Sequence, residues 1–286
     1  MSAGEKMFGT APNINFWILI EYTRQWEEKA FNNCSISKEL KDVIRNLAGM
    51  HPKSRIQLIR RNSKSSKLKL YIAITKSSEK EVFEFSLDSY DQILTIDFEK
   101  ALKNSDHISA KPLLLVCTHG SYDKCCGTMG KQLYNNLFSI EKDFEVWQTT
   151  HLGGHRLASN ILLLPEGIYY GRVDEDNYYK IKECYLKNSL CTELLRGRCF
   201  YSSDEQAAEY FLAMENNDTK ISDFRLEQVS RTDSGQINTV FTNNHNGYVY
   251  NVLLDKKDNA VQVLASCKDK HKKFFPQYEL INITRE

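Results

Sequence analysis

The sequence predicts an α/β protein in three parts. These are an N-terminal α/β half at residues 1–108, a second α/β domain at 109–216, and a small β-rich C-terminal extension at 217–286. Three observations lead there. Short runs rich in β-branched and aromatic residues alternate with stretches of helical periodicity through the first two parts. A polar stretch at 103–107 separates two such series. Beyond Ile221 the helical signal stops and only strand-like runs remain.

Residues 16–22 (FWILIEY) form an apolar, β-forming run expected to be a buried strand. Residues 37–48 (SKELKDVIRNLA) put Leu40, Val43, Ile44 and Leu47 on one helical face, with Ser37 as N-cap and Gly49 as a stop. Strands are expected at 55–60, 68–75 and 82–87. The second series opens with PLLLV at 112–116, running directly into Cys117. A helix at 130–138 and a strand at 144–149 follow. Next come β-like runs at 161–164 and 168–173, whose Pro165-Glu166-Gly167 spacer predicts a hairpin. Residues 203–214 (SDEQAAEYFLAM) read as an amphipathic helix capped by Ser202 or Ser203. This order of strand, helix, strand, loop, strand, strand and helix is thioredoxin-like, a central sheet flanked by helices. The extension is expected to hold strands at 224–229, 238–242, 247–254, 260–267 and 274–281. The sequence has no repeats.

Lys and Arg number 38 against 37 Asp and Glu, so the chain lacks the basic excess that nucleic-acid or anionic-membrane binding requires. The basic run at 60–69 (RRNSKSSKLK) reads as a solvated loop. No stretch approaches the roughly 20 apolar residues of a membrane span, and the N-terminus lacks the features of a secretory signal. A cytoplasmic protein is expected, with no nucleic-acid or membrane partner. Its eight cysteines are then expected to be buried thiols and metal ligands, with no disulfides. Cys34, Cys184, Cys191, Cys199 and Cys267 fall in the first group.

The chemistry concentrates between Leu115 and Val173. CTHGSYDKCCG occupies 117–127 and HLGGHRLASN occupies 151–160, each leaving the end of an expected strand. In α/β sheets, strand ends on a common edge are where sites form. One cysteine or histidine taken alone is an ordinary core or surface residue. Two thiols and an H-x3-H pair among glycines are a metal centre in the making. Spacing leaves either Cys125 or Cys126 as partner to Cys117. Thiolates with imidazoles suit zinc or iron–sulfur chemistry and exclude calcium or magnesium. Gly153 and Gly154 would each weaken a helix by about 1 kcal/mol, so a loop that approaches a bulky group is the better reading. Cys117-Thr118-His119 matches half of a Rieske site, but no C-x2-H follows, which leaves His119 as a supporting or turn residue. A thioredoxin-like thiol oxidoreductase is the third class, although the vicinal Cys125-Cys126 pair lacks the C-x2-C spacing of such enzymes.

These two segments resemble the sucrase/ferredoxin-like family, whose members carry a thioredoxin-like ferredoxin domain. Supporting matches are YYGRV at 169–173, LLRGR at 194–198 and GTAPNINFWILIEYTRQWEEKAF from Gly9. The resemblance implies a [2Fe–2S] cluster held by Cys117 and Cys126 on one iron and by His151 and His155 on the other. It implies a one-electron carrier or redox sensor working with a redox protein or reductase. The potential should lie above that of four-cysteine ferredoxins and depend on pH. Zn2+ held structurally by the same four residues is the alternative. Position 125 is Cys where the family commonly has a basic residue, and position 122 is Tyr where Arg is frequent. Glycoside hydrolysis is not implied, because no carboxylate pair stands in a glycosidase setting. Asp123, Arg156 and Asn160 are candidate partners of the ligands.

Overall fold

A computed structural model describes residues 4–62, 65–216 and 220–286. The apolar runs of the first two parts become one nine-stranded sheet. Its strands are β1 (Phe16–Glu21), β2 (Ser54–Arg60), β3 (Leu68–Thr75), β4 (Lys80–Leu87), β5 (Leu113–Cys117), β6 (Glu145–Thr149), β7 (Ile161–Leu164), β8 (Ile168–Tyr170) and β9 (Leu195–Arg198). Helices α1 (Ala30–Asn33), α2 (Lys38–Gly49), α3 (Phe98–Ala101), α4 (Lys131–Phe138), α5 (Glu175–Leu186) and α6 (Ser203–Glu215) complete the described helical segments of four or more residues in α-form.

The sheet order is β4-β3-β1-β2-β6-β5-β7-β8-β9. β1 and β2 are parallel, β3 is antiparallel to β1, and β4 is antiparallel to β3. The second series repeats this layout: β5 and β6 are parallel, and β7 and β8 follow antiparallel. Two units of one topology therefore stand side by side, although the sequence carries no repeat. They join where the ends of β2 and β6 pair antiparallel, Ile59 with Thr149 and Arg60 with Gln148.

Alternation of side chains along the strands sorts the core into layers. Phe16, Ile18 and Ile20 of β1 pack with Leu40, Ile44 and Leu47 of α2. Leu114 and Val116 of β5 pack with Leu133 and Leu137 of α4 and with Tyr178 and Ile181 of α5. The opposite rows, Trp17 and Leu19 from β1 and Leu113, Leu115 and Cys117 from β5, meet in one core shared by both units. Val82 of β4 and Leu162 and Leu164 of β7 enter the same core, so the sheet curls around it. Ser37 caps α2, and Ser202 with Glu205 forms a capping box on α6.

The extension is a separate antiparallel sheet of β10 (Phe224–Arg231), β11 (Ile237–Asn243), β12 (Val249–Val263) and β13 (Lys273–Arg285), in chain order. α6 covers it through Ala207, Ala208 and Leu212, against Ile237, Phe241, Tyr250, Val252, Leu254 and Tyr278. Here the structure corrects the sequence reading. The strands expected at 247–254 and 260–267 are one strand, β12, because the polar run at 255–259 lies on the exposed outer half of a long hairpin that needs no buried face. α5 and β9 were not expected at all. Among the described residues, no helix is long and apolar enough to cross a membrane.

Leu115, fully buried at the centre of the shared core, gives a direct check. Leu115→Ala is expected to lower stability to chemical denaturation by about 2–5 kcal/mol. Met50→Ala, at a side chain 69% exposed, should stay within about 0.5 kcal/mol of the parent. Equal effects would contradict this placement of the core.

Candidate metal centre

β5 and β6 run parallel and in register, with Cys117 opposite Thr149. Their following loops therefore leave from the same sheet edge. The first loop turns into a π-helical turn at Cys126–Gly130 that opens α4; such turns are enriched at functional sites. The second carries His151. Within this arrangement Cys117, Cys126 and His151 converge, their three donor atoms all lying within 4.8 Å of one another. Both sulfurs stand 4.0 Å from His151 Nδ1. Of the vicinal cysteines it is Cys126 that faces Cys117. His155 stands outside this trio but against it, with Nδ1 3.3 Å from His151 Nε2. Its own Nε2 is buried and has no hydrogen-bond partner.

The N-terminal unit holds the histidine loop in place. Beyond the β2–β6 pairing, Thr150 N–H donates to the Leu58 carbonyl, and Leu58 N–H donates back to Thr150 Oγ1. Arg55 and Gln57 side chains of β2 donate to the His151 carbonyl at 2.8 and 3.1 Å. His119 accepts the His151 N–H at Nδ1 and donates from Nε2 to the Glu27 carbonyl, which fixes its tautomer. Tyr122 stacks on the His151 ring, centroids 4.0 Å apart and planes 15° from parallel.

Three glycines have a steric reason here. Gly154 adopts φ +70°, and a Cβ there would lie 2.7 Å from Arg196 Nη2. That guanidinium, fully enclosed, donates to the Gly153 carbonyl, Asn160 Oδ1 and the Thr10 carbonyl. Asn160 in turn donates to the Gly154 carbonyl. Gly120 and Gly127 approach so closely that a Cβ on Gly127 would stand 2.5 Å from the Gly120 Cα.

The electrostatics favour the ligand form of Cys117 and of His155. Donation from the Cys126 thiol holds Cys117 well below the usual thiol range, against burial and with help from His151. The same contact, together with burial, keeps the proton on Cys126. The two thiols thus titrate as one unit holding a single negative charge. Burial, reinforced by the neighbouring His151, keeps His155 below the usual imidazole range. Thiolate and neutral imidazole are the forms that bind metals.

The other sequence candidates divide. Asn160 and His119 touch the histidine loop as described. Arg156 instead pairs with buried Glu5 at 2.6 Å and lies over the Phe275 ring. Asp123 turns away from the trio: it accepts the Cys125 N–H and the Ser266 hydroxyl. Arg55, Gln57, Tyr122 and Arg196 had no role from spacing; the family resemblance touched only Arg196, through LLRGR, and Tyr122, as a departure from the usual Arg. The expectation of no disulfide is also corrected, since Cys125 bonds to Cys267, 142 residues away. The return of the β12–β13 hairpin to the cysteine loop makes that pair, and spacing carries no trace of it. Cys34, Cys184, Cys191 and Cys199 are unpaired thiols, three of them buried.

Comparison with known families finds a match to the sucrase/ferredoxin-like description over residues 7–197. The chain belongs to the sucrase/ferredoxin-like family. The matched span contains both units of the large sheet up to β9 and all four candidate ligands. Among curated proteins, "Altered inheritance of mitochondria protein 32" of Meyerozyma guilliermondii is 32% identical over 87 residues, covering 27% of this chain and 31% of that protein. The protein of the same name from Debaryomyces hansenii is 27% identical over 135 residues, 43% of this chain and 50% of its own length. The chain thus spans half or less of these relatives. No solved structure gives a significant match.

Gly154→Ala is expected to cost about 1–3 kcal/mol in chemical denaturation, from a strained left-handed residue and the contact with Arg196. Gly49→Ala, which meets open space at the end of α2, should cost nothing. A neutral Gly154→Ala would show that the loop is not held as described.

Proposed function

We propose that the chain holds a [2Fe–2S] cluster through Cys117, Cys126, His151 and His155 and serves as a one-electron carrier. The observation that supports this most is the convergence of Cys117, Cys126 and His151 at one sheet edge, with the buried Nε2 of His155 left without a partner beside them. A pair of soft thiolates and a pair of imidazoles are the donors such a cluster takes, and among the described residues no carboxylate joins the trio. The family's ferredoxin kinship favours iron over zinc.

When bound, the cluster would supply reversible one-electron chemistry, at a potential raised by imidazole ligation relative to four thiolates. The chain's own residues do the rest. The Cys117–Cys126 pair sheds its remaining proton on binding metal. Arg55, Gln57 and His119 fix the His151 backbone, so that its ring need not reorganise. The cysteines are buried while His151 and His155 are half-buried, so the histidine side, roofed by Tyr122, is the face offered to a redox protein or reductase.

One observation favours a different occupant. His151 Nδ1 is equidistant from both sulfurs, a compact set that also suits a single Zn2+ with a fourth position open. Purification without oxygen separates the two. The expected product is a coloured protein with about two irons and two sulfides per chain, losing both in Cys117→Ser and His151→Ala and keeping both in Cys34→Ser. A colourless protein carrying one zinc would overturn the cluster and leave a structural site.

A further inference from the structure

We propose that the Cys125–Cys267 disulfide is a thiol-labile latch that holds the tip of the β12–β13 hairpin over the edge carrying the Cys/His group. This does not depend on which metal occupies that group.

Cys125 immediately precedes Cys126, while Cys267 sits in the segment 264–272 that joins β12 to β13. Most other contacts of this tip land on the same few residues, and Lys268 also faces Glu28 at 3.9 Å. The buried Asp123 carboxylate accepts the Ser266 hydroxyl at 2.8 Å and the Cys267 N–H at 3.4 Å, and it also accepts the Cys125 N–H at 2.9 Å. Lys268 Nζ reaches the Ser121 carbonyl at 3.5 Å. Just past the tip, the Phe275 ring lies 3.8 Å under the guanidinium of Arg156, the neighbour of His155. One hairpin thus touches both ligand segments, at Asp123 and Cys125 and at Arg156.

The hairpin has little else to hold it there. The core beneath the C-terminal sheet ends at Leu254 on β12 and Tyr278 on β13. Beyond those residues Leu264 and Phe274 are exposed, at 44% and 56%. The outer half therefore rests on a few polar contacts, the Arg156–Phe275 contact and one covalent bond. Segments with few buried apolar contacts open locally at low cost. Removing the bond should let the tip lift while the rest of the sheet stays packed on α6.

The bond is also reachable. Cys267 is exposed and Cys125 half-buried. A soluble thiolate attacking Cys267 Sγ forms a mixed disulfide and expels the Cys125 thiolate, which takes up a proton. A second thiol then attacks the mixed disulfide, releasing Cys267 as a thiol and the reagent as its own disulfide. Two electrons and two protons reach the protein, and two reagent thiols are oxidised. A glutathione-type disulfide reverses the sequence.

The test uses the full chain, both as purified and after treatment with a chelator. Each is equilibrated with glutathione disulfide or with dithiothreitol. Alkylation after unfolding in chelator should label six cysteines in the oxidised chain and eight in the reduced one, as six free thiols and eight cysteines in total require. A peptide linking Cys125 to Cys267 should account for the difference. Hydrogen exchange of 264–272 and of 120–127 should be several-fold faster after dithiothreitol, while β10 and β11 are unchanged. Cys267→Ser should exchange at the fast rate with either reagent. Eight labelled cysteines in the glutathione-disulfide sample would overturn the proposal. So would a linked peptide whose reduction leaves both segments' exchange unaltered, since the bond would then be a passive staple. Because the chelated chain gives the same readout, loss of the cluster reading leaves this result standing.

Discussion

The parallel, in-register pairing of β5 and β6 is the constraint on which the rest depends. It brings Cys117 level with Thr149, so that the loop bearing Cys126 and the loop bearing His151 start a few ångströms apart. Parallel strands need a crossover, and α4 provides it; its opening turn carries Cys126 back over the strand end. A one-residue slip would swap the rows of β5, turning Cys117 from the shared core with Trp147 toward α4. The site is therefore secured by the same alternation that packs Leu113 and Leu115.

Juxtaposition alone does not fix a loop, and here the first unit contributes. Its topology matches that of the second, yet β1 ends in Glu21 and β2 in Arg60, where β5 ends in Cys117 and β6 leads to His151. The first unit acts instead as a brace. β2 meets β6 over two residue pairs, and its side chains then follow the chain onward to hold the His151 carbonyl. From the far side, Arg196 of β9 grips the glycines between the histidines. The C-terminal hairpin closes over the loop that carries the cysteines. All three parts of the chain thus converge on a stretch of about forty residues, which accounts for a strongly built site at the edge of a sheet.

Much of this was legible in the sequence, for identifiable reasons. Buried strands such as FWILIE and LLLVC announce themselves by continuous apolar runs, and the Pro165 turn and the Ser202 cap are local signals. The two metal-type segments stood out because thiols, imidazoles and glycines coincide at strand ends. What escaped depends on contacts distant in sequence or on weak patterns. α5 is polar and buries only Tyr178 and Ile181, too thin a stripe to reveal a helix. β12 hides behind Asp255-Lys256-Lys257-Asp258-Asn259, which resembles a turn but lies in an exposed strand. Arg55, Arg196 and the Cys125–Cys267 bond act across 96, 43 and 142 residues, and nothing local encodes such partners. The ambiguity between Cys125 and Cys126 resolves only in three dimensions, where neighbouring side chains face different partners.

The central claim is that two histidines complete a ligand set begun by two cysteines. Electron paramagnetic resonance of the reduced protein, with 15N placed only in histidine, tests it most directly. The account predicts a paramagnetic cluster signal with coupling to 15N from two directly bound imidazoles, one of them lost in His155→Cys. A reduced protein with no such signal, or a cluster signal free of histidine nitrogen coupling, would contradict it.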